Sequence, residues 1–345
     1  MRSTLFHVPT SVPWGEGSLP LFGAGLLTML WVVAAIVWIA LAARKQGLST
    51  ALGQLWLPIM VVGGMLAVVL PRLDDGMGVP IRGYGVMLLV AAAAGTGLSI
   101  RRGRRVGIDA DTMLELATRV FIAGLIGARL FYVIEYHQQF FAAGKPLGQT
   151  LIDIVNIANG GLVVFGSLPT AALAAWQFAA RRKLSLLDLA DAAAPGMLVG
   201  LAIGRVGCFL NGCCYGGPCD LPWAVTFPAG TEVAARYPSA PGAVSLPVHP
   251  AQLYSAIDAA ILAALAVAWT PFARRSGQVF ALVLTLHPVS RMLLEAIRVD
   301  EPPALGTPFS ISQLISIVML ALAGALWWWT EQQPPATAAG TAEAA

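Results

Sequence analysis

The feature that most constrains the fold of this 345-residue chain is a succession of long apolar stretches. A helix needs about 20 mostly apolar residues to cross the hydrocarbon core of a bilayer. Charged residues make up only 11% of the chain, whereas soluble domains contain about 25%. We therefore predict an all-α polytopic membrane protein of about nine transmembrane helices. The candidate helices are 21–43, 51–70, 79–98, 112–134, 160–180, 187–210, 250–272, 277–298 and 308–330.

Basic residues predict how these helices are oriented. Clusters of arginine and lysine follow every second helix, at 44–45, 101–105, 181–183 and 274–275. Because such clusters are typical of cytoplasmic loops, we expect the N-terminus and a long 211–249 loop outside and the C-terminus in the cytoplasm. The net charge of +3 is small and scattered, and we predict no nucleic-acid partner.

Six arginines fall inside predicted helices, where a charge is costly and is typical of a functional site. They are Arg82, Arg119, Arg129, Arg205, Arg291 and Arg298. The predicted orientation places all of them except Arg119 in the outer half of the membrane, together with His249 and Gln252. The planar guanidinium fork suits phosphate oxygens. We predict a pocket for a lipid phosphate; the alternative is that arginines near helix ends extend to the membrane surface.

The eighth predicted helix carries a polar face. His287, Arg291 and Glu295 are spaced four residues apart, so they share one side of the helix. An ion pair between Arg291 and Glu295 could hold the helix bundle together. The same pair could orient Arg291 toward a substrate.

Eight motifs resemble one known family, in the same order along the chain. They are RGYGVML at 82–88, GARLFYV at 127–133, GGLVVFGSL at 160–168, GRVGCFLNGCCYGG at 204–217, WAVTFPAGT at 223–231, HPAQLYS at 249–255, SRMLLEAIR at 290–298 and ISQLISI at 311–317. Residues 80–329 thus resemble the phosphatidylglycerol–prolipoprotein diacylglyceryl transferases of bacterial inner membranes. The resemblance implies transfer of diacylglyceryl from phosphatidylglycerol to the lipobox cysteine thiol of a prolipoprotein, with release of glycerol phosphate and without a cofactor.

The resemblance also implies a domain organisation. Its seven-helix core corresponds to 79–330, which includes the periplasmic loop 211–249. Residues 1–78 then add an N-terminal hairpin of two helices, which carry no charge or histidine in their interiors. The 331–345 tail is rich in alanine, proline, threonine and glutamate, a composition that predicts a disordered cytoplasmic segment.

The motif matches imply roles for particular residues. Arg205 corresponds to the arginine that holds the lipid phosphate, and Arg291 to a second essential arginine with Glu295 as its acidic partner. Tyr84, Asn211 and Gly216 correspond to further motif positions. With the arginines and polar residues identified above, the predicted substrate-binding set is Arg82, Tyr84, Arg129, Asn211, Gly216, His249, Gln252 and Arg298.

Several positions depart from the family pattern. Phe165 stands where the family has a histidine that could act as general base, and Ser255 stands at an acidic position. Cys208 replaces an asparagine and Cys213 a glutamate. His287 and His249 are then the candidate bases, and we place His287 first because it shares a face with Arg291. We predict the catalytic set Arg205, Arg291, Glu295 and His287.

All four cysteines lie where the sixth helix is expected to leave the membrane on the outer side: Cys208, Cys213, Cys214 and Cys219. That compartment permits disulfides, so we predict one or two bridges around Arg205. A four-thiolate metal site is the less favoured interpretation, because Cys213 and Cys214 are adjacent, and we predict no metal. A cysteine that accepts the diacylglyceryl group itself is a third interpretation.

Two alternative functions remain open at this point. One is a related transferase with another thiol acceptor, and the other is a catalytically silent lipid-binding paralogue. The replaced histidine and glutamate favour these alternatives, whereas the retained Arg205, Arg291 and Glu295 favour an active transferase.

Overall fold

The computed structural model describes residues 4–14, 17–141, 145–156, 160–299 and 306–334. Over these ranges the protein is almost entirely helical, as predicted, with only four short strands. The chain divides into two compact units, Met1–Val86 and Met87–Ala345. Of the tail that we predicted to be disordered, residues 335–345 lie outside the described ranges.

The first unit contains a helical hairpin and all four strands. The strands are β1 (Thr4–Val8), β2 (Ser11–Trp14), β3 (Gly17–Pro20) and β4 (Val79–Arg82), paired antiparallel as β1 with β4 and β2 with β3. Helices α1 (Leu26–Gln46) and α2 (Leu48–Gly64) pack side by side. A π-helical turn, Met65–Val69, extends α2 into α3 (Leu70–Arg72).

The remaining helices begin with α4 (Gly83–Arg105), which starts in the first unit and continues into the second. The others are α5 (Ala110–Glu135), α6 (His137–Phe140), α7 (Leu147–Val155), α8 (Val164–Arg182), α9 (Leu186–Asn211), α10 (Glu232–Arg236), α11 (Ala251–Trp269), α12 (Gln278–Glu295) and α13 (Ile311–Gln332). A 3-10 turn, Thr270–Phe272, extends α11.

Each of the nine predicted stretches corresponds to a helix within the described ranges, and seven helical segments there are long and apolar enough to cross a membrane. The other two, α8 and α12, contain 19 and 18 residues. At 1.5 Å per residue they are roughly 27–29 Å long, close to the ~30 Å hydrocarbon core. The chain is therefore a multi-pass membrane protein.

Three differences between the predicted and the observed helix boundaries bear on the candidate site. The third helix begins at Gly83, because Val79–Arg82 pairs with β1 as a strand. The fifth begins at Val164, because Gly160 and Gly161 both have positive φ angles, +86° and +80°, which a right-handed helix does not allow. The eighth ends at Glu295, so Arg298 lies beyond the helix and not on it.

Close backbone contacts between small residues hold helices of the second unit together. Gly127 of α5 faces Gly166 of α8; a Cβ atom added to Gly166 would lie 2.3 Å from the carbonyl oxygen of Gly127. Gly95 of α4 faces Gly196 of α9 in the same way, with 2.7 Å between an added Cβ atom and the carbonyl oxygen of Gly196. Such glycines let membrane helices approach each other closely.

Asp191 fixes the direction in which α9 and α12 run. This residue lies near the start of α9, and its carboxylate accepts hydrogen bonds from the backbone N–H groups of Gly277 and Phe280 at 2.7 Å each. Those N–H groups belong to the start of α12, where the helix dipole favours an anion. The N-terminal ends of α9 and α12 therefore meet, and their C-terminal ends both lie at the opposite end of the unit.

Candidate active site

The C-terminal ends of α9 and α12 meet the N-terminal ends of α11 and α13 at one end of the second unit. Gly216, just after α9, forms a β-bridge with Arg298, just after α12. Its N–H donates to the carbonyl oxygen of His249, which precedes α11, at 3.0 Å. Arg291 of α12 donates to the Ser312 hydroxyl of α13 at 2.8 Å. Residues from four predicted motifs thus assemble here.

Arg205 lies on α9, within electrostatic range of His287 and Cys214. Its Nε atom is buried and has no hydrogen-bond partner among the described residues. None of the ion pairs found within the described ranges includes Arg205. Arg205 as a whole is partly buried. A guanidinium that has no protein carboxylate can bind an anion such as phosphate.

Arg291 is held between two protein groups. One terminal nitrogen lies 2.5 Å from the Glu295 carboxylate, and the other donates to Ser312. The side chains of Arg291 and Glu295 are only 12% and 5% exposed. The i,i+4 pair predicted from the spacing is therefore present and buried. Ser312 was not singled out from the sequence, although it lies in the last of the matched motifs.

His287 lies one turn before Arg291 on α12 and is partly buried. Its Nδ1 atom is buried without a hydrogen-bond partner in the part of the chain that the structure describes. Arg205, Arg291 and Asp258 are close enough to act on it electrostatically. Asp258 of α11 accepts a 2.8 Å hydrogen bond from the Ser290 hydroxyl. The sequence analysis missed Asp258, and the available signal was a single carboxylate within the apolar 250–272 stretch.

His249 and Gln252 contact the loop that follows α9. Gln252 is fully buried and donates from Nε2 to the carbonyl oxygen of Cys213 at 2.7 Å. The Nδ1 atom of His249 lies 3.4 Å from the Tyr254 hydroxyl, which accepts from the Trp223 indole at 2.7 Å. Both residues therefore support the loop beside Arg205.

Gly216 and Asn211 differ in how they fit this loop. A Cβ atom on Gly216 would lie 2.6 Å from the Cβ atom of His249 and 3.0 Å from the carbonyl oxygen of Ile297. Only glycine allows the chain to pass between them. Asn211 is the last residue of α9, and its side chain is exposed.

The guanidinium of Arg129 binds carbonyl oxygens of the backbone. Its guanidinium donates to the carbonyl oxygens of Ile154, Gly160, Gly161, Asp153 and Asn156, at 2.6–3.0 Å. It also lies 5.2 Å from the ring centre of Tyr132 and 5.5 Å from that of Phe140. This arginine fixes the segment between α7 and α8, immediately before Phe165 in the first turn of α8.

Two predicted substrate-binding residues belong to the first unit. Arg82 ends β4 and Tyr84 lies in the first turn of α4. Both side chains are exposed. Arg119, which we set apart from the site, pairs with Glu115 at 2.7 Å, and Glu115 also pairs with Arg182.

The predicted disulfides are not formed, since all four cysteines are free thiols. Gly212 ends α9 in the left-handed conformation, with φ +75°. The chain therefore turns back, and the sulfur atoms of Cys208, Cys213 and Cys214 lie within 4.8 Å of one another. Hydrogen bonds from Cys208 and Cys213 hold the pKa of the Cys214 thiol below its ordinary value, and the charges of Arg205 and Arg298 act in the same direction.

Comparison with known proteins identifies one family. A family model described as prolipoprotein diacylglyceryl transferase matches residues 71–329. A phosphatidylglycerol–prolipoprotein diacylglyceryl transferase of Rhodopirellula baltica is 39% identical over 246 residues, which cover 68% of this chain and 49% of that protein. The chain thus spans about half the length of that relative.

Shorter relatives are matched over most of their length. A protein of the same name from Clostridium tetani is 30% identical over 247 residues, which cover 72% of this chain and 92% of that protein. One from Corynebacterium diphtheriae is 30% identical over 256 residues, which cover 72% of this chain and 88% of that protein. The chain therefore belongs to the prolipoprotein diacylglyceryl transferase family.

Proposed function

We propose that this protein transfers the diacylglyceryl group of phosphatidylglycerol to the lipobox cysteine thiol of a prolipoprotein and releases glycerol phosphate. The relatives that match the chain bear the name of this activity. The observation that carries the proposal is the buried Nε atom of Arg205, which has no partner among the described residues and lies at the end of the unit where Arg291 is fixed. The comparisons do not favour another acceptor or a silent paralogue.

In this proposal, the two arginines serve the leaving group. Arg205 binds the lipid phosphate, and Arg291 is oriented by Glu295 and Ser312 toward the same anion. The acceptor sulfur attacks the glycerol carbon of the diacylglyceryl group, and the carbon–oxygen bond to phosphate breaks. The electron pair stays on the phosphate oxygen, where preoriented N–H donors stabilise the charge as it develops. Asn211, Gly216, Gln252 and Arg298 shape the loop beside this anion.

The acceptor must react as a thiolate, so its proton needs a destination. His287 is the proposed base, since its Nδ1 atom is buried and unpartnered among the described residues. Asp258, fixed by Ser290, lies within electrostatic range of this imidazole. His249 is the second candidate and contacts Tyr254. Arg82, Tyr84 and Arg129 remain proposed lipid contacts, with Arg129 acting through the segment that it holds.

The proposed location is the bacterial inner membrane. The N-terminus and the 211–249 loop lie outside, where a secreted prolipoprotein is available, and the C-terminus lies in the cytoplasm. Residues 79–330 form the transferase core, and residues 1–78 form an added segment. The basic clusters at 44–45, 101–105, 181–183 and 274–275 support this orientation.

A complementation experiment tests the proposal. The full chain is expressed in cells depleted of their own diacylglyceryl transferase, and prolipoprotein modification is followed by mass spectrometry. We expect modification with the unaltered chain and with the control Arg119→Ala, whose arginine is half exposed and pairs with Glu115 on the same helix. Arg205→Ala should abolish modification. Absence of modification by the membrane-inserted, unaltered chain would contradict the proposed function.

A further inference from the structure

The three clustered thiols have no role in the reaction described so far. We propose that Cys208, Cys213 and Cys214 bind one zinc ion, whose fourth coordination position takes the thiol of the acceptor cysteine. The role of the fourth position rests on the proposed transferase function, whereas the metal site itself does not. From the sequence we predicted no metal, because Cys213 and Cys214 are adjacent.

The spacing of the sulfur atoms fits a metal better than a disulfide. All three lie within 4.8 Å of one another. Thiolates bound tetrahedrally at a zinc–sulfur distance of about 2.3 Å lie ~3.8 Å apart, so small side-chain shifts would complete the site. A disulfide requires about 2.05 Å between two sulfur atoms and leaves the third without a partner. Cys219 is outside this group.

The backbone that presents the thiols is fixed in an unusual conformation. Cys214 has a φ angle of +60°, a left-handed conformation that is unfavourable for a non-glycine residue. Such strain persists where the surroundings compensate for it and is found at ligand sites. Gln252 holds the carbonyl oxygen of Cys213, and the backbone of Gly216 is bonded to that of His249. The loop is therefore preorganised around the thiols.

The local charges favour a soft divalent cation. Thiolates select zinc over the harder metals, and the C-terminal end of α9 favours a positive charge. Three thiolates and one zinc ion carry a net charge of about −1. Arg205 and Arg298, both within electrostatic range of Cys214, can balance that charge. A zinc ion with three protein ligands retains an open position, as catalytic zinc sites do.

An open position next to Arg205 would supply what the altered motif lacks. Phe165 stands at the position of the family base, and two of the thiols, Cys208 and Cys213, stand at altered motif positions. A thiol that binds zinc loses its proton, which here passes to His287. The bound sulfur then forms a bond to the glycerol carbon of the lipid, the carbon–oxygen bond breaks, and glycerol phosphate leaves with the electron pair. No oxidant or reductant is involved.

The test measures metal in the purified full-length protein, prepared in lipid nanodiscs with a tag that binds no metal. We expect about one zinc ion per chain by elemental mass spectrometry. Cys208→Ser and Cys213→Ser should lose most of this zinc, whereas the matched control Cys219→Ser should retain it. With cobalt(II) in place of zinc, the protein should show sulfur-to-cobalt charge-transfer absorption. Addition of a lipobox peptide should shift this absorption, whereas the same peptide with its cysteine replaced by serine should not.

Each failure has a distinct meaning. The proposed metal site would be overturned if the unaltered protein bound neither zinc nor cobalt. It would also be overturned if the Cys208→Ser variant retained zinc. An unchanged cobalt spectrum on peptide addition would overturn the role of the fourth position. The cobalt measurement on the unaltered protein tests the metal site even if a serine variant fails to fold. Arg205→Ala should lose transfer but keep zinc, which separates failure of this inference from failure of the proposed function.

Discussion

The buried pair between Arg291 and Glu295 allows a quantitative prediction. Glu295→Gln removes the negative charge but keeps the shape of the side chain and an oxygen that can accept a hydrogen bond. Arg291 then keeps Ser312 but loses its carboxylate in a nearly dry position, with 12% of its side chain exposed. The pair of Arg275 with Glu331 offers a matched control, since the Glu331 side chain is 57% exposed.

The expected magnitudes differ because the two pairs differ in burial. Removing one partner of a buried ion pair costs roughly 3–5 kcal/mol. Because one hydrogen bond to Arg291 is retained, we expect a cost of about 3 kcal/mol for Glu295→Gln. An exposed pair contributes at most about 1 kcal/mol, which is the expected limit for Glu331→Gln. At roughly 2–4 °C per kcal/mol for domains near this size, the melting temperature should fall by about 6–12 °C for Glu295→Gln and by less than ~4 °C for Glu331→Gln.

Thermal unfolding in detergent, followed by the fluorescence of a thiol-reactive dye or of tryptophan, measures both variants under identical conditions. Transfer activity should also fall in Glu295→Gln, since Arg291 loses the group that orients it, and should be retained in Glu331→Gln. Equal shifts in melting temperature for the two variants would refute the reasoning, because burial would then not determine the contribution of the pair.

Three further predictions follow from other parts of the structure. Gly166→Ala should lower the melting temperature by separating α5 from α8, whereas Gly97→Ala, with open space around it, should not; equal effects would contradict the packing. Arg129→Lys should speed hydrogen exchange over 147–156 and 160–163, because one ammonium group cannot serve five carbonyl oxygens; unchanged exchange there would contradict that role. Hydrogen bonds from Thr112 lower the pKa of Asp109 below 3.8, so its stabilisation is complete above that pH. The stability difference between Asp109→Ala and the unaltered protein should therefore be constant from about pH 8 to 5 and shrink below about pH 4; a difference that changes within the upper range would count against it.

Much of the fold could be predicted because membrane spans follow from the length and apolarity of single segments. The boundaries at Gly83 and Val164 could not, because they depend on long-range pairing and on backbone angles. Strand β4 exists only because β1, more than 70 residues earlier, pairs with it. The positive φ angles of Gly160 and Gly161 could not be predicted either, because an apolar stretch that contains glycine is also compatible with a helix.

The candidate site was predictable where one helix carries both partners. The spacing of Arg291 and Glu295 is sufficient to predict their pair, and the structure confirms it. The partner of Arg129 could not be predicted, because it is a set of carbonyl oxygens supplied by a returning segment. The convergence of three thiols likewise required the turn at Gly212, which brings Cys213 and Cys214 back to Cys208. Identifying Asp258 with Ser290 required the packing of α11 against α12.

The most direct test of the central claim is transfer by the purified protein. Phosphatidylglycerol labelled in its acyl chains and a lipobox peptide are supplied in nanodiscs, and both the lipidated peptide and free glycerol phosphate are quantified. We predict equal amounts of the two products with the unaltered chain and with Arg119→Ala. Loss of one oxyanion-stabilising donor costs on the order of 100- to 1,000-fold in rate, so Arg205→Ala should be at least 100-fold slower. Transfer by Arg205→Ala at the unaltered rate would contradict the claim that Arg205 binds the phosphate of the leaving group.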